Sequence, residues 1–347
     1  MTSVTALAPA AADLRRPALA RITWLLVGLG VLVVLSILSI SFGVRAVSFD
    51  DIVAALGGQT DTIEQAAIVK RIPRTVLALL VGAALALSGA TMQAVTRNPI
   101  AEPGILGISN GASLAVVLGI AFFAVHDPVG QMSFAIVGAA AAAVFVYTVG
   151  SLGRGGATPL KLALAGAATS AAFASLISAV MLPRVDLLQN FQSWQVGGVG
   201  GAEWSRIALT APVLAVGALI CLLSARGMNS LALGDDMAKG LGENVGRTRM
   251  ISALGSVVLA GAATAIAGPI GFVGLIIPHV CRMLVGTDHR WLLPFSALAG
   301  AALLTASDIV GRVISPSSEE IQVGIITAII GAPFFIWIVR RQKVREL

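Results

Sequence analysis

The sequence predicts an all-α fold, a polytopic membrane protein with about ten transmembrane helices. Apolar residues make up 57% of its 347 residues and charged residues only 12%, whereas a soluble globular protein carries roughly 25% charged residues. The mean hydropathy of +0.92 agrees with this composition. The apolar residues form long continuous runs without period-two alternation, which favours helices over barrel strands as the spanning elements.

Ten apolar runs are candidates for membrane spans, because about 20 helical residues at 1.5 Å per residue cross the ~30 Å core of a bilayer. They cover residues 22–43, 75–95, 105–125, 132–152, 160–182, 206–225, 249–268, 270–285, 292–311 and 322–339. The eighth run is the shortest. The first run exceeds the 7 to 15 apolar residues of a secretory signal peptide, so it is predicted to be an uncleaved span.

The distribution of lysine and arginine predicts the orientation. Ten spans place both termini on one side, and with that side cytoplasmic the inner segments hold 16 of the 23 basic residues, as the positive-inside rule requires. The predicted organisation is a cytoplasmic tail over 1–21, a single transmembrane domain over 22–340 with a long cytoplasmic connection at about 226–249, and a cytoplasmic tail over 341–347. The net charge of +6 is explained by these loops facing anionic lipid, so no nucleic-acid partner is expected.

The residues that could carry chemistry are scattered. Cys221 and Cys281 lie in separate predicted spans, and the three histidines are isolated, so neither a metal site nor a disulfide is expected. No paired aspartate, Ser–His arrangement or H-E-x-x-H site lies within the spans, which argues against an intramembrane enzyme. An ion-coupled secondary transporter remains an alternative, although such proteins usually carry ionisable groups at mid-membrane depth.

Four segments give the chain a family resemblance. They are RIPRTVLALLVGAALALSGATMQAVTRNPIAEPGILGISNGA from residue 71, LGDDMAKGLGENV from residue 233, AGPIGFVGLIIPHVCRMLVGTDHR from residue 267 and VGIITAIIGAPFFIWIV from residue 323. In this order the chain resembles the FecCD-type permeases, the membrane subunits of binding-protein-dependent ABC importers for iron-siderophores, haem and cobalamin. The resemblance implies the ABC type II importer permease fold, with ten transmembrane helices per subunit.

The resemblance also implies partners. A second permease subunit, identical or related, would complete the path; a cytosolic ABC ATPase dimer would bind ATP and Mg²⁺; and an extracytoplasmic substrate-binding protein would deliver the ligand. The chain lacks a G-x-x-x-x-G-K-S/T phosphate-binding loop, so hydrolysis is expected from the ATPase and no cofactor is expected on the permease. A ferric siderophore is the expected substrate, with haem and cobalamin as alternatives.

Three arginines are the candidate docking residues for the binding protein. Arg71, Arg74 and Arg312 fall on the predicted outer side, where basic residues are disfavoured, and the resemblance implies that they face carboxylates of the partner. For Arg312 an alternative is a local ion pair with Asp308, four residues earlier on one helical face. The sequence favours neither docking nor the local ion pair for Arg312.

A cytoplasmic gate is expected where the second span ends. Proline at position 99 ends a helix and disfavours the helical conformation at Asn98. By resemblance Asn98 and Ile100 belong to this gate. Its other half is a pair of small hydroxyl residues in the family, and only Thr158 matches that pair here.

The long cytoplasmic connection is the candidate coupling element. Its sequence predicts two short helices with breaks at Gly234 and Gly242. The acidic residues after Gly234 are typical of a helix N-terminus. By resemblance this element docks on the ATPase. The residues expected to carry the coupling are Asp235, Met237, Ala238, Gly240, Leu241 and Gly242.

Overall fold

The computed structural model describes residues 18–43, 47–104, 107–152, 159–184, 194–315 and 320–341. Its elements within these ranges are helices. They are α1 (Ala18–Ser41), α2 (Phe49–Leu56), α3 (Ile63–Thr96), α4 (Ile108–Phe123), α5 (Pro128–Ser151), α6 (Pro159–Met181), α7 (Trp204–Leu223), α8 (Ala225–Ala232), α9 (Asp235–Gly240), α10 (Val245–Ala267), α11 (Val273–Val285), α12 (His289–Ile314) and α13 (Val323–Arg341).

The predicted spans correspond to ten of these helices. Seven are long and apolar enough to cross a membrane, and the other three, α4, α11 and the apolar part of α13, are shorter. With 16 and 13 residues, α4 and α11 extend about 24 and 20 Å at 1.5 Å per residue, less than the ~30 Å of a bilayer core. The all-helical, multi-pass fold is therefore confirmed.

Two boundaries differ from the sequence-based expectation. Helix α3 begins at Ile63 rather than near residue 75, because Thr62 and Gln65 form a reciprocal capping box and the charged residues that follow remain helical. Helix α12 continues to Ile314, so Arg312 lies in its last turn rather than after it. A hydropathy window ends where charges begin, whereas a capped helix continues through them.

Helix α3 is the centre of the bundle. It packs against α10, α11 and α12, and most of its residues from Leu77 to Gln93 are buried. Where it crosses α12, the backbones of Gly82 and Gly300 touch: a Cβ on either glycine would overlap with the carbonyl oxygen of the other. Such close approach lets helices associate by van der Waals contact in lipid.

Polar groups inside the bundle pair across helices. Ser88 on α3 and Ser256 on α10 are both fully buried, and each donates to the other's carbonyl oxygen at 2.8 and 2.9 Å. Gln93 donates to the carbonyl oxygen of Gly274 at 3.1 Å and accepts from Arg282. These bonds tie α3 to α10 and α11, since a buried polar group without a partner is costly in an apolar environment.

Candidate functional site

The structure brings the three candidate docking arginines together. Helix α3 carries Arg71 and Arg74 in its N-terminal third, and the last turn of α12 carries Arg312 beside them. Asp308, one turn earlier on α12, pairs with Arg74 at 2.8 Å and with Arg312 at 3.1 Å. Glu320, just before α13, forms a second ion pair with Arg74. We call these five residues the arginine cluster.

The arginine cluster is largely buried. The side chains of Arg312 and Asp308 are each 2% exposed, and Arg312 donates to the carbonyl oxygens of Ser39 and Phe42 at 2.9 and 3.1 Å. Arg71 donates to two carbonyl oxygens at the end of α1, both at 3.1 Å. The local Asp308–Arg312 pair is thus present, while the role of the three arginines in docking stays a prediction.

The predicted gate residues lie in a tight turn after α3. Arg97 caps the helix in a left-handed conformation, with φ of 51°. The Asn98 side chain accepts a hydrogen bond from the N–H of Ile100 at 3.1 Å, and the N–H of Ala101 donates to the Asn98 carbonyl at 3.1 Å. This turn holds Asn98 and Ile100 next to each other, both partly buried. Thr158, the third candidate, lies outside the described residues.

The predicted coupling element has the expected two short helices. Gly234 and Gly242 break the chain with φ values of 108° and 82°, a region that glycine tolerates without strain. Between them lies α9. Ala238 is buried against Leu231 and Val245 and anchors α9, while Gly240 lies on its exposed side.

Helix α9 and the residues that flank it expose large apolar side chains. Met237 is 62% exposed and Leu241 65% exposed, and Leu233 at 58% precedes them with the same four-residue spacing. Leu233 is missing from the set expected from sequence, although its spacing to the other two could have revealed it. A stripe of exposed apolar residues outside the spans is typical of a protein contact.

Asp235 connects the coupling element to the gate. At the first turn of α9 it pairs with Arg97, next to the gate turn, and with Arg249 on α10 at 2.9 Å. Its side chain is 37% exposed and those of the two arginines about as much. We call these three residues the Asp235 junction. Sequence reasoning placed Asp235 in the coupling element but gave no partner for it.

Glu102 is a further site residue that the sequence did not reveal. It lies in the connection between α3 and α4, and its carboxylate accepts a hydrogen bond from the N–H of Phe272, just before α11. Burial raises the pKa of Glu102 to about 7, although this hydrogen bond acts in the opposite direction. Phe272 adopts a left-handed conformation with φ of 69°. Glu102 thus links the connection after the gate to the break between α10 and α11.

Metal-binding arrangements are absent from the described part of the chain. No group of three or more His, Cys, Asp or Glu side chains is placed to hold an ion there, and Cys221 and Cys281 are both free and buried. The arrangements that remain are two sets of shared ion pairs, one on the N-terminal third of α3 and one at its C-terminal end. About 23 residues separate Arg74 from Arg97 along that helix, or roughly 35 Å.

Comparison with known proteins identifies the family. The model of the FecCD transport family matches residues 31–341. The iron(3+)-hydroxamate import system permease protein FhuB of Bacillus subtilis is 42% identical over 92% of this chain and 83% of its own. The ferric enterobactin transport system permease protein FepD of Escherichia coli is 42% identical over 90% of this chain and 93% of its own.

A solved structure of an ABC transporter has a similar fold. A metal-chelate type ABC transporter, determined in an inward-facing conformation, superposes with a TM-score of 0.78 at 30% identity, covering 92% of this chain and 99% of the other. The relatives are permeases, which are transport subunits and not enzymes. The chain therefore belongs to the FecCD transport family and is a multi-pass membrane permease of the siderophore, haem and cobalamin ABC importer class.

Proposed function

We propose that this chain is the transmembrane subunit of a binding-protein-dependent importer for a ferric siderophore, and that it couples ATP hydrolysis by a partner ATPase to substrate passage. In this proposal ATP and Mg²⁺ bind on the ATPase, and the permease itself binds no cofactor. A second copy or a related permease completes the path. Haem and cobalamin are the alternative substrates within the same family.

The observation that carries the proposal is the placement of α9. Met237 on its outer face and Leu241 directly after it are exposed, while its first residue, Asp235, is paired with Arg97 beside the gate turn. A partner that binds these apolar residues can therefore displace α9. The ion pair between Asp235 and Arg97 then transmits that displacement to the C-terminal end of α3. This is the mechanical connection that an ATP-driven gate requires.

The arginine cluster, on the N-terminal third of α3, suits a different partner. The arginine cluster contains three guanidinium groups and two carboxylates, which leaves an excess of positive charge on the side that the positive-inside rule assigns to the exterior. An acidic surface on a substrate-binding protein would be attracted to it. In this orientation both termini and α9 face the cytoplasm.

The substrate is proposed from the relatives. Both of the relatives described above are named for ferric siderophore transport, one for a hydroxamate and the other for enterobactin. The chain is similar to each over about nine tenths of its length.

The test is an ATPase assay with the assembled transporter in lipid discs. The permease would be combined with its cytosolic ATPase and with binding protein loaded in turn with a ferric hydroxamate, ferric enterobactin, haem or cobalamin. Stimulation of hydrolysis by one ferric siderophore is the expected result. Stimulation by haem or cobalamin alone would identify that ligand, and not a ferric siderophore, as the substrate. Uptake driven by an ion gradient without an ATPase would overturn the proposal.

The matched variants are Met237→Ser and Met250→Ser. Both methionines are strongly exposed, at 62% and 68%, but Met237 lies on α9 and Met250 on α10. We expect Met237→Ser to lower the stimulated hydrolysis and Met250→Ser to leave it unchanged. Equal effects of the two changes would argue against α9 as the ATPase contact.

A further inference from the structure

Arg74 in the arginine cluster has two carboxylate partners in different surroundings. Asp308 accepts from Arg74 Nε with both oxygens at 3.1 Å and from Nη2 at 2.8 Å. Glu320 accepts from Nη1 on the other side of the guanidinium. The Asp308 side chain is 2% exposed and that of Glu320 is 36% exposed. Among the described residues, the Glu320 side of Arg74 is therefore the side that is open to solution.

The charges of the cluster show what Glu320 contributes. Asp308 is already shared between Arg74 and Arg312, so the inner part of the cluster keeps an excess of positive charge. Glu320 reduces that excess, since it attracts Arg71 and Arg312 as well as Arg74. Partly buried guanidinium groups need such compensation. A carboxylate from another protein could supply it equally well.

The backbone around Glu320 allows such an exchange. The next residue, Ile321, donates its N–H to the carbonyl oxygen of Gly311 at 3.2 Å, and Gly324 donates to that of Gly197 at 3.0 Å. These bonds fix the main chain at the start of α13. Gly200 lies beside Arg74 Nη1 without a side chain that would cover it. A rotation of the Glu320 side chain is therefore enough to open Arg74.

We propose that Glu320 occupies, in the unbound permease, the position on Arg74 that a carboxylate of the docking protein takes in the complex. The partner is a substrate-binding protein whose docking face carries exposed Asp or Glu, and it must displace Glu320 before Arg74 can bind it. This inference rests on the proposed function. It makes Glu320 a residue that lowers the affinity and the association rate of the partner.

The first experiment needs no partner. Permease in lipid discs would be treated with p-hydroxyphenylglyoxal, which modifies accessible guanidinium groups, and the rate at Arg74 would be followed by peptide mass spectrometry. We expect Glu320→Gln to increase that rate threefold or more. Glu203→Gln is the matched control, because Glu203 is an exposed carboxylate at the start of α7 without an ion pair to a described residue. An unchanged rate in Glu320→Gln would overturn the proposal.

The second experiment measures docking. The loaded binding protein that stimulates hydrolysis in the ATPase assay would be bound to immobilised discs at low salt. We expect association about three- to tenfold faster with Glu320→Gln than with wild type, and a smaller gain at high salt, where exposed charges are screened. Equal rates in wild type and Glu320→Gln would overturn the inference and leave the proposed function intact.

The two experiments together distinguish a failure of the proposed docking function from a failure of the inference about Glu320. If no loaded binding protein docks on the wild type, the proposed docking function fails. The modification rate of Arg74 still decides in that case whether Glu320 covers it. Thermal unfolding of both variants would confirm that neither change alters the fold.

Discussion

Asp308 and Asp235 are both shared between two arginines, yet Asp308 meets the N-terminal third of α3 and Asp235 its C-terminal end, in different environments. Asp308 and its partner Arg312 are 2% exposed, whereas Asp235 is 37% exposed. Buried ion pairs are fixed by the cost of leaving a charge without a partner, while exposed pairs contribute little and exchange readily. The same arrangement therefore holds α3 and α12 together at the arginine cluster and forms a reversible connection at the Asp235 junction.

The largest expected effect comes from breaking the buried pair. Asp308→Ala leaves Arg74 and Arg312 without their shared carboxylate, and we expect a loss of about 3–5 kcal/mol of stability. Asp235→Ala is the matched control and should cost less than about 1 kcal/mol. Thermal unfolding of the purified permease in detergent measures both. Similar losses of stability in the two variants would show that the buried Asp308 pairs and the exposed Asp235 pairs do not differ in strength.

A smaller effect is expected at Glu102, a carboxylate with no ion pair among the described residues. Because burial raises its pKa from 4.5 to about 7, the folded protein holds the proton more tightly than the unfolded chain. This contribution to stability is complete below pH 4.5 and is lost as the pH rises through 7, a change of up to about 3 kcal/mol.

The measurement for Glu102 is a series of unfolding midpoints between pH 5 and 8 for wild type and Glu102→Gln. The amide cannot ionise, so the variant should lose the part of the pH dependence that Glu102 causes. Asp51→Asn is a suitable control, because Asp51 is a partly exposed capping residue on α2. A pH dependence that is identical in wild type and Glu102→Gln would contradict the prediction.

The smallest expected effect in energy concerns the Asp235 junction, where the consequence is functional. Asp235→Asn should leave stability almost unchanged but lower the substrate-stimulated ATPase rate about fivefold, which corresponds to a coupling free energy of ~1 kcal/mol. Arg97→Gln should lower the rate as well, and the double variant should be no worse than Asp235→Asn alone, since Asp235→Asn already removes the pair with Arg97 together with the pair with Arg249.

Salt provides the control for that prediction. Raising the ionic strength from about 0.1 to 1 M shortens the screening length from ~10 to ~3 Å. The difference between wild type and Asp235→Asn should then shrink, while the instability of Asp308→Ala persists. Additive losses in the Arg97→Gln, Asp235→Asn double variant would show that the two residues act separately.

The sequence determined much of the fold because bilayer thickness limits the length of an apolar helix. All ten predicted spans correspond to helices, and the breaks at Gly234 and Gly242 lie where glycine was expected to end them. The start of α3 was missed because the capping box at Thr62 and Gln65 is a local hydrogen-bonding signal that hydropathy does not include.

The candidate site was less accessible to sequence reasoning. Arg74 and Asp308 are 234 residues apart in the chain, and Arg97 and Asp235 are 138 residues apart. Pairs at such separations depend on how the helices cross, which residue spacing does not show. Only the Asp308–Arg312 pair, one helical turn apart, was visible as an alternative in the sequence.

The contact between Gly82 and Gly300 has a consequence for how the two ends of α3 communicate. At this crossing the two backbones touch, with Leu304 and Ala86 packed beside the glycines, so α3 and α12 cannot slide past each other there without colliding. We therefore expect α3 and α12 to move together as one rigid body. Over the roughly 35 Å between Arg74 and Arg97, a tilt of about 5° would carry the far end through about 3 Å, a distance comparable to the length of the hydrogen bonds in the gate turn.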